Sequence, residues 1–272
     1  MNKPASIRKS IKILKTNTHL SWVLLSLFAL LQACAAGPQY TLMTYNIRHG
    51  VGMDRVHDLQ RTAGVMASVS PDFVILNEVD QATVRSGGMH EADTLGKLLG
   101  LRNYFSASIE YDGGSYGNAF LSRYPILSFD VHDISANRYF EGRSLFHARI
   151  LLEADTLHVW GTHLGLDSLE REEQVNDILG LIEPSQAMIL GGDFNLEPGS
   201  HPYNRIAEIL VDGVAGLNTN PGNTYPADIP IRRIDFLFLG HKVEATSIPS
   251  ITAENLKTAS DHLPQILTFI VK

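Results

Sequence analysis

The chain predicts an α/β fold in one large domain. Short, unbroken apolar runs that stop at glycine or a polar residue read as buried strands, among them Phe73-Val74-Ile75-Leu76 and Ala187-Met188-Ile189-Leu190. Between such runs lie stretches with apolar residues at helical spacing, as at Leu59, Ala63, Met66 and Ala67. The length downstream of Tyr40 suffices for one substantial core, and an apolar content of 44% argues against a disordered chain.

The first twenty residues carry Lys3, Arg8, Lys9, Lys12 and Lys15 and no acid, and lead into the apolar run Leu20 to Leu31. That run is short for a membrane span and suits the h-region of a secretory signal, so residues 1–33 are expected to be removed and the protein exported. Cys34, the only cysteine, follows in Leu31-Gln32-Ala33-Cys34, where a bacterial lipoprotein signal places the residue to be lipidated. Gln32 is unusual for that signal, and a plain signal peptide cut near Ala35 or Ala36 is the alternative. A lipidated Cys34 would anchor the protein to a membrane, facing the periplasm or exterior, through a tether over 34–39; otherwise it would be secreted. The domain over 40–272 has no cysteine to pair, so disulfides contribute nothing to it.

Without the five basic residues of the leader, 17 Lys+Arg face 29 Asp+Glu, a net charge of about −12 with His neutral. Such a domain lacks the broad basic footprint of a nucleic-acid binder, although local basic groups could hold one phosphate.

Thr41 to Gly50 reads as a strand ending in polar residues, with Asn46 as a candidate ligand. A helix is expected around Asp58 to Val69, stopped by Ser70-Pro71. The strand from Phe73 delivers Asn77 and Glu78, and a glutamate directly after four apolar residues needs a partner, which a metal would supply. Gln81 to His90 reads as a surface loop whose Arg85 is a solvated arginine rather than a substrate contact. A helix over Glu91 to Leu99 follows. Gly117 to Ile126 and Ser144 to Leu152 are further strands; the Arg143 guanidinium before the second is either a phosphate clamp or the partner of Glu141.

Thr156 to Leu164 is another strand with functional groups at its end. His158 and His163 lie an odd number apart and face opposite ways in a regular strand, which leaves His163 for the site. A helix over Ser168 to Leu181 presents a solvated charged face. Then comes Gly191-Gly192-Asp193-Phe194-Asn195, where a buried strand ends with a carboxylate and a carboxamide two residues apart, on one side of the chain. Asp193 can bind a metal or take a proton, Asn195 can donate to a phosphoryl oxygen, and the glycines are expected to let backbone and substrate approach closely. A tight turn with an Asx-type bond is the plainer reading of the same residues.

A helix near Tyr203 to Leu210 and a loop over Gly216 to Pro230 precede the strand Arg233 to Leu239. Asp235 within that strand is expected to bond something cationic. Ser260-Asp261-His262-Leu263-Pro264 leads into a last strand, Gln265 to Val271, expected to run antiparallel to those that carry ligands at their ends. Asn46, Glu78, Asp193, Asn195 and Asp261 make an oxygen-rich set without cysteine, suited to a hard cation such as Mg²⁺ or Mn²⁺, with His163 and His262 placed to join it. Phosphoryl transfer to water needs a cation, a group that activates water and donors for the developing charge, and this set supplies all three.

In order, Tyr45-Asn46, Asn77-Glu78-Val79, Gly161-Thr162-His163-Leu164, Gly191-Gly192-Asp193-Phe194-Asn195, Arg233-Ile234-Asp235-Phe236 and Ser260-Asp261-His262-Leu263-Pro264 resemble the endonuclease/exonuclease/phosphatase superfamily. That grouping includes pancreatic deoxyribonuclease, exonuclease III, neutral sphingomyelinases and inositol-phosphate phosphatases. The familiar glutamine before the glutamate is Asn77 here. The resemblance implies a two-sheet, four-layer α/β sandwich with the site at one sheet edge. It implies Glu78 as principal metal ligand with Asn46 and Asp261 near the same cation, Asp193 as the group that activates water, and Asn195 holding the phosphoryl group. Asp235 would orient His262 against the scissile phosphate, and His163 would stabilise the pentacoordinate charge or protonate the leaving oxygen.

The same site serves nucleic acids, lipids and phosphorylated sugars in that superfamily, so substrate is argued separately. The acidity of the domain argues against long DNA, and the expected export favours a small or lipid-linked phosphate ester. A secreted nuclease would need a basic groove built from scattered residues such as Arg102, Arg123, Arg143, Arg232 and Arg233. A catalytically silent phosphate-binding module is the non-enzyme alternative, disfavoured because every expected ligand and both histidines are present.

Overall fold

The computed structural model describes residues 37–272 apart from 137–138, 154 and 219–221. The expected signal peptide and Cys34 lie outside the described residues, as does Asn137 in the loop before Arg143. The chain runs β1 (Tyr40–Asn46), a 3-10 turn (Arg48–Gly50), α1 (Leu59–Ala67), β2 (Phe73–Gln81), α2 (Glu91–Leu99), β3 (Arg102–Tyr111) and β4 (Gly114–Ser122). Next come β5 (Ile126–Asp133), β6 (Ser144–Leu152), β7 (Asp155–His163), α3 (Ser168–Leu181), β8 (Met188–Asp193) and α4 (His201–Ala207). It ends with β9 (Val211–Asp212), α5 (Gly213–Leu217), β10 (Asp235–Leu239), β11 (Val243–Ser247) and β12 (Gln265–Val271).

The strands form two six-stranded sheets, ordered β11-β12-β1-β2-β4-β3 and β5-β6-β7-β8-β10-β9. Alternation along the interior strands sets the layers. Leu42, Phe73, Ile75, Phe120, Val159, Ile189 and Leu237 fill the space between the sheets. Their neighbours point outward: Met43, Val74 and Leu76 meet α1 and α2, while Leu190, Phe236 and Phe238 meet α3 and α4. Strands buried on both faces must be apolar at nearly every position, and each fully buried Ile, Leu or Phe contributes about 1.5–3 kcal/mol relative to exposure. The result is the expected four-layer sandwich.

The strands absent from the sequence reading, β3, β5, β9 and β11, are the four sheet edges. Edge strands keep one flank in water and carry mixed side chains, as in Arg102 to Tyr111, so they give no continuous apolar signal. The expected strand Gly117 to Ile126 accordingly stops at Ser122, and Ile126 opens β5. The expected helices form, with Asp58 and Asp167 as N-caps that accept from Arg61 N at 3.0 Å and Leu169 N at 2.8 Å. The helix expected over Tyr203 to Leu210 lies slightly earlier, at His201–Ala207.

β1 and β2 pair in parallel in one sheet, as do β7 and β8 in the other, and β12 is antiparallel to β1 as expected. The ends of these parallel strands therefore share one pole with the starts of β10 and β12. Tyr40, where the domain begins, lies at the other pole, about 20 Å away along β1 at the usual rise per residue.

Candidate active site

Each strand that reaches the shared pole delivers polar side chains to it. Asn46, the last residue of β1, donates from Nδ2 to Glu78 Oε1 at 2.9 Å and to Asp193 Oδ2 at 3.0 Å. Its Oδ1 accepts the Arg48 N–H at 3.0 Å. Asn46 thus holds carboxylates from the two sheets through its amide nitrogen. Glu78 sits in a β-bulge between Leu76 and Val79 with φ of 56°, a left-handed conformation that breaks the pleat and turns its side chain toward the cleft. Burial raises the Glu78 carboxyl above its ordinary range, against the pull of the Asn46 hydrogen bond.

Asn77 has a structural task. Its Oδ1 accepts the Asp193 N–H at 2.9 Å, and Nδ2 donates to Asn118 Oδ1 and to the Thr162 carbonyl, each at 2.8 Å. This buried amide pins the bulge of one sheet to β7 and β8 of the other. Leaving any of those groups unpaired would cost about 1–3 kcal/mol.

The paired glycines do not serve substrate approach. A Cβ on Gly191 would meet Ile75 and Leu237 side chains at 2.7 Å, so this position belongs to the packing between the sheets. Gly192, with φ of 143°, lies so close to the Thr162 carbonyl that a Cβ would fall 1.9 Å from that oxygen. The glycines let β7 and β8 close up and bring His163 beside Asp193, whose Cα positions are in register. Beyond them the Asx-type bond is present, Asn195 N donating to Asp193 Oδ1 at 3.0 Å, so the turn and the site are one feature.

Asp235 and His262 meet at 3.0 Å, Oδ2 to Nδ1, and His262 Nε2 lies 3.6 Å from Asp193 Oδ2. Burial works against the charged imidazole, but Asp235, Asp193 and Asp261 outweigh it and push His262 up to about 10. Burial, with Asp235 nearby, raises Asp193 to about 7 even though His262 acts in the opposite sense. His163 is the neutral histidine: burial, Arg143 and His262 all hold it well below its ordinary value. Its Nδ1 is 3.4 Å from Arg143 Nη1 and its Nε2 is 3.2 Å from Asn195 Nδ2 and 3.5 Å from Asp193 Oδ2. Arg143 donates toward Nδ1, and Asn195 Nδ2, which gives one hydrogen to the Leu164 carbonyl at 3.0 Å, turns its second toward Nε2, so both ring nitrogens face donors and the surroundings oppose a charged imidazole. His158 faces the other way, 2.9 Å from His147.

Arg143 pairs with Glu141 at 2.9 Å while lying against His163, and its buried Nε has no partner. Arg85 is ion-paired to Asp80 at 2.7 Å and stacked over Tyr111, not free in solvent. Three further residues escaped the sequence reading. Arg48 Nε is 3.6 Å from Asp261 Oδ2. Ser260 donates to the Asn46 carbonyl at 2.7 Å and accepts the His262 N–H at 3.2 Å, tying the last motif to β1. Tyr116, whose phenol is raised by burial and by Glu78 and Glu141, stands beside the bulge. Arg48 had a sequence signal in its two-residue spacing from Asn46, and Ser260 stood in the last motif without a role of its own.

The donor set fits a hard divalent cation. Among the described residues the one cluster with three ligand-type atoms within 4.8 Å is Asp193, Asp235 and His262. His262 is an imidazolium there, bonded to Asp235, and offers protons rather than a lone pair. Glu78 instead has an amide donor on one carboxylate oxygen and no ion pair among the described residues, and Asp261 has one arginine at 3.6 Å. A half-buried carboxylate left without an ion pair is costly, and a hard cation would compensate it. Glu78 and Asp261 would hold the ion, with the Asn46 amide setting the position of Glu78.

Known proteins resemble this chain in sequence and fold. YbhP of Escherichia coli (strain K12) is 27% identical over 250 residues, covering 83% of this chain and 94% of its own. An endonuclease/exonuclease/phosphatase from Beutenbergia cavernae DSM 12333 superposes with a TM-score of 0.71 at 23% identity, over 86% of this chain and 72% of its own. The mannosyl-6-phosphatase of Bacteroides thetaiotaomicron VPI-5482 superposes with a TM-score of 0.66 at 16% identity, over 85% of this chain and 99% of its own. The model of the Endonuclease/Exonuclease/phosphatase family matches residues 43–262, from β1 through the Asp235–His262 pair. With that match spanning most of the chain, the chain belongs to the endonuclease/exonuclease/phosphatase family.

Proposed function

We infer that the protein is a Mg²⁺- or Mn²⁺-dependent phosphoesterase, a phosphodiesterase or phosphatase that hydrolyses a small or lipid-linked phosphate ester by in-line attack of water. The observation that carries this reading is the single Asn46 amide joining Glu78 to Asp193, which sets a metal-type carboxylate beside a carboxylate poised to take a proton. A bound cation would draw charge from the phosphoryl oxygens. Asp193, raised to about 7, is placed to orient the water and accept its proton near neutral pH. His262, kept charged by Asp235, donates to the phosphoryl group as negative charge grows. Neutral His163 stands on the same side, its ring held between Arg143 and Asn195.

The arginines a nucleic-acid groove would need do not line the cleft together, which favours a small or lipid-linked ester. Arg102 and Arg123 belong to the opposite pole, and Arg233 is buried in a bidentate pair with Asp212. The fold shared with a protein named a mannosyl-6-phosphatase supports a small ester. The basic, apolar leader and Cys34 support action outside the cytoplasm, from a membrane anchor or in secreted form.

Phosphorus NMR with Mg²⁺ tests the reading on sphingomyelin-type and inositol lipids, sugar phosphates and an oligonucleotide, each beside His262→Ala. Turnover of a lipid or small ester that vanishes in the variant supports it. Turnover of the oligonucleotide alone moves the assignment to a nuclease, and metal binding without turnover of any ester moves it to a binding module.

A further inference from the structure

Among the described residues, the aliphatic side chains more than two-thirds exposed are Val84 at 72%, Leu166 at 76%, Leu169 at 72%, Ile229 at 70% and Ile231 at 69%. All five follow strand ends at, or lead into, the catalytic pole. Single exposed apolar residues are unremarkable, but here the most exposed ones gather around one polar cleft. A groove of about 300 Å³ opens from Asn195 at that pole, and two of the five adjoin its lining residues in the chain. Leu169 follows its lining residue Ser168, and Ile231 precedes its lining residue Arg232.

These side chains are held outward by bonded turns. Arg171 Nη1 donates to the Gly165 and Leu166 carbonyls, and Asp167 caps the helix that begins beside Leu169. In the other loop Ile231 N and Arg232 N both donate to the Tyr225 carbonyl, at 3.0 and 2.9 Å, and Ile229 N is bonded to Asp228 Oδ1 at 2.9 Å. An aliphatic residue fixed in water by its own backbone gains only when an apolar phase meets it.

We propose that the catalytic rim docks on a zwitterionic lipid surface through Leu166, Leu169, Ile229 and Ile231, presenting the cleft to phosphate esters held in that surface. Aliphatic tips on two separate loops around a polar groove match an amphiphile, with chains against the tips and a head group in the groove. The groove's charges are balanced within it, Arg232 paired with Glu197 and Glu172 with His201, each at 2.9 Å, so it favours neither sign, and the net acidity of the domain removes any attraction to an anionic surface. The substrate part of this inference rests on the phosphoesterase reading; the docking itself is measured without turnover.

The test is sedimentation with phosphatidylcholine vesicles of the domain from Pro38 onward, which contains both sheets and all three core clusters and omits the apolar leader that would itself partition. The domain is expected to bind. Leu166→Asp with Leu169→Asp, and Ile229→Asp with Ile231→Asp, should each weaken partitioning by about tenfold or more with the melting temperature retained. Leu127→Asp with Leu151→Asp, exposed apolar positions on strands away from the rim, should leave binding unchanged. Absence of binding, equal binding by the rim variants, binding restricted to anionic vesicles, or self-association lost in the rim variants would each overturn the proposal. Vesicle binding without turnover of any phosphoester would leave docking standing and remove the enzymatic reading alone.

Discussion

Nδ1 of His262 donates to Oδ2 of Asp235 across 3.0 Å, and both side chains are buried. The contact joins the start of β10 to the approach to β12, and it fixes the ring so that Nε2 faces Asp193. Asp235→Asn removes the charge that stabilises the imidazolium while keeping the shape. It should lower kcat by about 10²–10³-fold. In the parent, kcat/KM should rise as Asp193 loses its proton near pH 7 and fall as His262 loses its own near pH 10. Because a lost negative neighbour favours the neutral ring, the alkaline limb of the variant should move to lower pH. A pH–rate profile of both proteins checks this, and an unmoved alkaline limb would assign it to another group.

Glu78→Gln keeps an acceptor for the Asn46 amide and removes the charge that a cation would neutralise. Titration calorimetry with Mn²⁺ should show binding by the parent and at least a tenfold weaker affinity in the variant. A chelator should abolish turnover, with Mg²⁺ restoring it in the parent alone. Equal affinity in the variant would move the metal to Asp193 and Asp235.

Gly192→Ala would set a Cβ 1.9 Å from the Thr162 carbonyl at a φ of 143°. Because β7 and β8 cannot separate without breaking the Asn77 bonds, the cost should be about 3 kcal/mol or more. Gly64→Ala, in α1 with nothing within 4 Å, should instead stabilise by about 0.5–1 kcal/mol. Urea unfolding of the two variants measures both signs.

His147 stacks on Trp160 with ring centroids 3.8 Å apart, and burial together with His158 lowers its pKa to about 4. The unfolded imidazole gains its proton near 6.5 and the folded one only near 4, so between those values the unfolded chain binds more protons. Stability from this residue should therefore be lost as the pH falls through that window. His147→Phe should flatten the fall in melting temperature between pH 6.5 and 4; an unchanged slope would place the acid sensitivity elsewhere.

Interior strands such as Phe73–Gln81 and Met188–Asp193 were legible because both faces are buried, which forces a continuous apolar run. Edge strands were not, since Arg102 to Tyr111 has the composition of a surface segment and becomes a strand only by pairing with β4. Asp193, Asn195 and His163 were legible as polar groups ending apolar strands. The role of Gly191 and Gly192 was misread because the atoms they make room for come from β2, β7 and β10.

By itself the sequence determined the interior strands, the helices and the chemical inventory of the cleft, because burial pattern and residue type are local properties. Tertiary structure alone decided the pairings. Asn46 meets Glu78 and Asp193 across 32 and 147 residues of chain, and Asp235 finds His262 across 27. Local periodicity carries no record of which distant groups will share a low-dielectric space. The same closure separates the two histidines: three carboxylates around His262 hold its proton, while burial, with Arg143 alongside, keeps His163 neutral.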